Sequence, residues 1–241
     1  MIPKKIHYCW FGRGQMPELA VNCINSWKKY LPDYELILWN EDTFDINCNQ
    51  YVKEAYESKK YAFVTDYVRL YALYNHGGIY MDTDVEVLKS LDQFLEHPAF
   101  TGCENDQMCV TGTMAAVKGH QWIEDLLNDY DDKKFILPDG SFDKTPNTQM
   151  ITELTINKYG WKPKDEHQVL EEGLNIYPFE VFCAKDWKTG KITSTSQTYT
   201  IHHFSGSWHT KNDKLKNKIQ NIIGPKGTQF IVNVKKKIKG S

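Results

Sequence analysis

Long apolar runs are missing from this sequence: no segment approaches the roughly 20 consecutive apolar residues that a membrane-spanning helix needs. The opening MIPKKIHYCWFG carries two lysines, but His7 breaks its short apolar stretch, so it does not read as a signal peptide. The expectation is a protein that stays in the cytoplasm. Paired cysteines are missing too. Cys9, Cys23, Cys48, Cys103, Cys109 and Cys183 are scattered, with no C-x-x-C pair and no histidine at zinc spacing, which reads as free, mostly buried thiols. There is no G-x-G-x-x-G in the first turn, so a nucleotide would have to be held without a dinucleotide fingerprint.

Net charge is also almost absent, at −2 over 241 residues, but it is unevenly spread. From Lys211 to Ser241 nine lysines face a single acid, Asp213, a net +8 that leaves the first 210 residues at −10. Leu215, Ile219 and Ile222 fall at helical spacing among Lys211, Lys214, Lys216 and Lys218, before Gly224-Pro225. A basic amphipathic segment of this kind suits an anionic membrane surface, at about 1 kcal/mol per lysine near the bilayer. It lacks the arginines and interleaved aromatics of a nucleic-acid binder, and no nucleic acid is expected as a partner. The reading divides the chain into a catalytic domain over 1–210, in halves 1–92 and 93–210, and a tail over 211–241.

What is present begins with alternation between strand and helix. IHYCWF (6–11) reads as a buried strand, Pro17-Glu18 starts a helix with Ala20, Cys23, Ile24 and Trp27 on one face, and YELILW (34–39) is a second strand. Strand, helix, strand within about forty residues opens a parallel sheet in an α/β domain. A second helix is expected over 62–76, with Phe63, Tyr67, Leu70, Tyr71 and Tyr74 as its buried face. Asp66 and Arg69, three apart, share a neighbouring face and can meet or reach one ligand together. Gly77-Gly78 stops the helix, and Ile79 to Met81 form a short strand leading to Asp82 and Asp84.

One residue separates these aspartates, so in an extended chain both carboxylates project to one side. Like charges that close are unfavourable unless a cation or donor lies between them. A hard divalent ion, Mn²⁺ or Mg²⁺, with a phosphate completing its shell is the simplest occupant. The bland reading is an Asp-x-Asp in a polar turn.

The run FVTDYVRLYALYNHGGIYMDTDVEVLKSL, preceded by IPKKIHYCWFG and followed much later by TIHHFSGSWH (200–209), resembles glycosyltransferase family 32, whose members carry a sugar-binding DXD region. The pattern is similar to the glucosylating domain of the large clostridial cytotoxins. The resemblance implies a GT-A fold, a Rossmann-like mixed sheet flanked by helices, that binds a nucleotide-diphosphate sugar. It implies that Trp10 stacks on the base, that Asp66 and Arg69 hold the ribose, donor sugar or diphosphate, and that Asp82 and Asp84 ligate the metal. From TIHHFSGSWH, His203 is the favoured further ligand with His202 as the alternative, because adjacent strand residues face opposite ways. Ser207 and Trp208 resemble a lip that donates hydrogen bonds to the leaving phosphate. In TPNTQM, Asn147 and Gln149 are candidates for sugar hydroxyls, although the segment departs from the family's usual Gly-Pro there.

The function that follows is a retaining, metal-dependent hexosyltransferase. It would use a UDP-sugar such as UDP-galactose and a lipid-linked glycan acceptor at the inner membrane face, in capsular or surface polysaccharide synthesis. One rival is a haloacid-dehalogenase-type phosphatase with Asp82 as nucleophile. Such sites carry Thr or Val two residues after the second aspartate, and here Glu86 stands there. The other rival is a sugar-nucleotide-binding protein without turnover.

Overall fold

The structure, a computed structural model, describes residues 1–110 and 112–206. Ser207, Trp208 and the lysine-rich segment 211–241 lie outside the described residues. Met1–Phe204 is one compact unit.

This unit is built on a seven-stranded mixed sheet flanked by helices, the α/β architecture expected of a GT-A glycosyltransferase. Its elements in chain order are β1 (Lys5–Cys9), α1 (Glu18–Tyr30), β2 (Glu35–Trp39), α2 (Gln50–Glu57), α3 (Tyr61–His76), β3 (Gly78–Met81) and β4 (Val85–Val87). There follow β5 (Ala99–Gly102), β6 (Thr113–Ala116), α4 (Gln121–Asn128), α5 (Asn147–Tyr159), β7 (Gln168–Val169), β8 (Leu174–Tyr177), α6 (Phe179–Phe182) and β9 (Thr200–His202). The sheet order is β2-β1-β3-β6-β5-β8-β7, while β4 and β9 form a separate antiparallel ribbon.

β1 pairs in parallel with both β2 and β3, in the register Ile6 with Ile79 and His7 with Tyr80. Their carboxyl ends therefore share one edge of the sheet, and the residues that follow, Trp10 after β1 and Asp82 after β3, emerge there together. This is the edge where open α/β sheets place their ligands. β6 and β5 then run antiparallel, and they bring Gly112 back to that edge, where its carbonyl accepts from the Asp82 N–H at 2.8 Å.

Helix α3 differs from expectation in its buried face. Val64, Val68, Leu70, Ala72 and Leu73 are fully buried, together with Asp66 and Arg69, whereas Phe63, Tyr67, Tyr71 and Tyr74 are only partly covered. The helix is wrapped by α2, α4, β1 and β3. Small aliphatic side chains let it approach the sheet, and its aromatics fill the rim, where Tyr71 and Tyr67 pack against Phe44.

His7 shows how the motif's histidine serves the fold. It is fully buried, Trp39 Nε1 donates to its Nδ1 at 3.1 Å, and its Nε2 donates to the Gly77 carbonyl at 2.8 Å. Gly77 and Gly78 both have positive φ, and a Cβ on Gly78 would stand 2.8 Å from the Lys5 carbonyl oxygen, so the turn into β3 requires glycine. Burial lowers the His7 pKa to about 4, against a gain from the Gly77 hydrogen bond. An unfolded chain takes up a proton below pH 6.5 that the folded chain refuses until about 4, so this stability is complete above 6.5 and is lost as the pH falls. Denaturant melts at pH 7 and pH 4.5 should differ by about 3 kcal/mol from this group, and in His7→Leu, which is less stable throughout, the difference should shrink accordingly.

Candidate active site

Asp82, Asp84 and His202 each offer a ligand atom, and these atoms all lie within 4.8 Å of one another. The arrangement follows from two local structures. Asp82 and Asp84 leave β3 in a tight turn, in which the Val85 N–H donates to the Asp82 carbonyl at 3.0 Å. Val85 then pairs with His202 in the β4·β9 ribbon, and the His203 N–H donates to the Asp84 carbonyl at 2.9 Å. α1 holds the ribbon from behind: Trp27 Nε1 donates to the Val85 carbonyl, and Ser26 Oγ accepts from the Val87 N–H.

The two oxygens of Asp82 have different partners. Oδ1 accepts from Arg69 Nη2 at 3.2 Å and from the Tyr80 hydroxyl at 2.9 Å. Oδ2 faces the cluster, 3.9 Å from His202 Nε2, which lies 3.4 Å from Asp84 Oδ1. Arg69, one of only two arginines in the sequence, also donates to Asp66 Oδ1 at 3.2 Å, and its guanidinium carbon lies 4.7 Å from the centre of the Tyr80 ring. Its Nε is buried with no hydrogen-bond partner among the described residues.

The electrostatics match this geometry. Burial pushes the Asp66 carboxyl up, with Asp82 adding to the rise and Arg69 opposing it, to about 7. Burial opposes the charge on Arg69, but Asp82, Tyr80 and Asp66 outweigh it and hold the guanidinium ionised. Burial alone would lower the His202 pKa, yet its hydrogen bonds to Asp84 and Cys183 and the charges of both aspartates raise it to about 10. Glu104, just beyond β5, joins the same field: burial raises its pKa, His202 opposes the rise and Asp82 adds to it.

Two carboxylates and one imidazole form an oxygen-rich donor set suited to a hard or borderline divalent ion, with substrate oxygens completing the shell. The space around them supports this fit. A Cβ on Gly112 would stand 2.8 Å from Val85 Cγ2, 3.1 Å from Asp82 Oδ2 and 3.2 Å from His202 Cε1. Only a residue without a side chain leaves the cluster open, so Gly112→Ala should weaken Mn²⁺ binding at least tenfold, read by isothermal titration, with a smaller effect on metal-free melting.

The histidine favoured from the sequence is not the one that the structure brings to the aspartates. His203 faces the other side of the ribbon and pairs with Glu86 Oε2 at 2.8 Å, while His202 faces the cluster. The cause is strand alternation, with the register set by Val85 opposite His202. His202→Ala should therefore abolish Mn²⁺ binding in the same titration, and His203→Ala should change it less than threefold.

The remaining candidates divide. Trp10 stands at the ligand edge, partly buried, with Nε1 donating to the Gly14 carbonyl at 2.6 Å. Asn147 opens α5, its amide nitrogen buried and unpartnered among the described residues. Gln149 is exposed and donates to Glu153 one turn on, and no described contact ties it to the cluster. Tyr80, Gly112, Glu104 and Cys183 were missed. The signal for Tyr80 was available, because residues i and i+2 of a strand share a side and Tyr80 precedes Asp82 by two.

Residues 17–101, which contain Asp66, Arg69, Asp82 and Asp84, match the family described as "Glycosyltransferase sugar-binding region containing DXD motif". Over these residues the chain is similar to the DXD glycosyltransferases. It is 32% identical over 126 residues to inositol phosphoceramide mannosyltransferase 3 of Schizosaccharomyces pombe, covering 51% of this chain and 35% of that protein. It is 27% identical over 234 residues to the mannosyl phosphorylinositol ceramide synthase SUR1 of Saccharomyces cerevisiae, covering 92% of this chain and 56% of that protein. The chain thus spans about a third to a half of the length of these curated relatives. A solved structure titled PaToxG Glycosyltransferase superposes with a TM-score of 0.48 at 19% identity, covering 65% of this chain and 69% of that chain.

Proposed function

We propose that the chain transfers a hexosyl group from a nucleoside-diphosphate sugar to a hydroxyl acceptor, with a divalent cation held by Asp82, Asp84 and His202. The observation that carries this is the convergence of those three side chains at the carboxyl edge of the sheet. When bound, Mn²⁺ or Mg²⁺ would supply positive charge to the departing diphosphate.

The protein's own groups bind and orient. Trp10 offers an indole face to the base. Arg69 is fixed between Asp66 and Asp82 and retains a buried Nε–H for the donor, while Asp66 accepts from a sugar or ribose hydroxyl. The lip that the family resemblance implies for Ser207 and Trp208 falls on residues outside those described. Transfer with retention by front-face attack is what the family resemblance implies.

The sequence reading pointed to UDP-galactose and a capsular glycan. The relatives are named for mannosyl transfer and for inositol phosphoceramide, which favours a mannosyl donor and a lipid-borne acceptor. The basic 211–241 segment suits an acceptor at an anionic membrane, with the enzyme peripheral on its cytoplasmic face. Among the described residues no helix is long and apolar enough to cross a membrane.

The test is thermal melting with Mn²⁺ against UDP, GDP, CMP and dTDP, followed by turnover of GDP-mannose and UDP-galactose. A nucleotide at 100 times its dissociation constant adds about 2.7 kcal/mol, worth roughly 5–10 °C for a chain of this size. A rise with one nucleotide only when Mn²⁺ is present supports the reading, and no rise with any of them ends it. The phosphatase reading fares poorly, because Asp82 Oδ1 already accepts two hydrogen bonds and is not poised as a nucleophile. Turnover of a generic phosphate ester with Mg²⁺ would restore it.

A further inference from the structure

A metal-binding histidine is normally oriented by the partner of its second ring nitrogen. His202 Nε2 faces the aspartates. Its imidazole is also hydrogen-bonded to the side chain of Cys183, a fully buried thiol that packs beside β9. The two residues are paired through the backbone as well, the His202 N–H donating to the Cys183 carbonyl at 3.0 Å. The thiol has its own acceptor, the Lys185 carbonyl at 3.8 Å, so the sulfur lone pairs are available to a ring N–H.

The corner that presents Cys183 is unusual. It follows the four-residue helix α6, and Ala184 sits at φ 51, a left-handed conformation that costs a non-glycine residue on the order of 1 kcal/mol. β9 and its flanks hold it there: Thr200 Oγ1 donates to the Phe182 carbonyl at 2.7 Å, and the Thr193 N–H to the Ala184 carbonyl at 2.8 Å. Lys185 Nζ donates to the His203 carbonyl at 2.8 Å. His202 is thus gripped on its ring by Cys183 and, one residue on, along its backbone by Lys185.

We propose that Cys183 and Lys185 are positioning residues for the metal centre: Cys183 accepts from Nδ1–H of His202 and aims Nε2 at the ion, and Lys185 fixes the exit of β9. This rests on the reading of Asp82, Asp84 and His202 as the metal site. The corner contributes no ligand. The register of β9 on β4 decides which of two adjacent histidines is presented, and the corner sets the angle of its ring.

The experiment measures Mn²⁺ affinity of the full chain by electron paramagnetic resonance of the free ion, for wild type, Cys183→Ala, Cys183→Ser and Lys185→Met. Metal-free melting and circular dichroism report folding separately. Removing an outer partner of this kind typically weakens metal binding 10- to 100-fold. Cys183→Ala should therefore bind at least tenfold more weakly, Cys183→Ser, which keeps an accepting atom, should recover to within about threefold, and Lys185→Met should fall between them. If Cys183→Ala does not fold, the Ser and Met variants carry the comparison. Wild-type affinity in Cys183→Ala, or in Lys185→Met if only that variant folds, overturns the positioning role alone. A wild type that binds no Mn²⁺ overturns the metal reading and the positioning role with it.

Discussion

Asp84→Asn is expected to remove the Mn²⁺-dependent nucleotide stabilisation and to lower glycosyl transfer by at least a thousandfold, about 4 kcal/mol of barrier. The substitution keeps the shape of the side chain and removes one charge from a centre that, among the described residues, has two carboxylates and an imidazole. Metal-free stability should fall, because without the ion Asp84 partners the His202 ring, whose raised pKa depends on that hydrogen bond and charge. Melting curves with and without Mn²⁺ and nucleotide, together with single-turnover transfer, check both parts. A variant that keeps the metal-dependent shift would mean that Asp84 is not a ligand.

Arg69→Met should instead act on the folded state itself. Arg69 is buried between Asp66 and Asp82, with 9% of its side chain exposed, and it is the nearest cation to both. Methionine fills much of the volume but leaves two carboxylates facing each other in a desolvated pocket. Breaking a buried pair in this way costs about 3–5 kcal/mol. The loss should be largest above pH 7, where Asp66, with its pKa raised to about 7, is ionised beside Arg69 in the wild type, and should diminish as the pH falls through that value. Chemical denaturation at pH 5.5 and pH 8 measures the difference. Asp66→Asn in the Arg69→Met background should recover part of the loss.

Much of this site was legible because short-range geometry decides it. A helix fixes Asp66 and Arg69 three residues apart, and an extended segment puts Asp82 and Asp84 on one side. What the sequence could not give was anything set by distant pairing. Choosing between His202 and His203 needs the register of β9 on β4, across more than a hundred residues, and a one-residue slip exchanges them. Gly112 carries no local mark of its role, since its constraint comes from Val85, Asp82 and His202 together. The buried face of α3 was misjudged for a related reason: large aromatics match a core pattern, but a helix wrapped on several sides buries its small residues deepest and leaves rings at the margin.

The β4·β9 ribbon consists of three residues against three, yet it closes a loop from Val87 to Thr200. Loop closure over that length carries a large entropy cost before any contact compensates it. The central sheet contains every strand up to β8 without this ribbon, so the scaffold can form first and the cluster last. During synthesis, a nascent chain that has not yet delivered residue 202 would hold a nearly complete sheet with two aspartates and no histidine. An ion held by the cluster would then require the ribbon to be closed, and fraying of three residues would take away one of its three ligands.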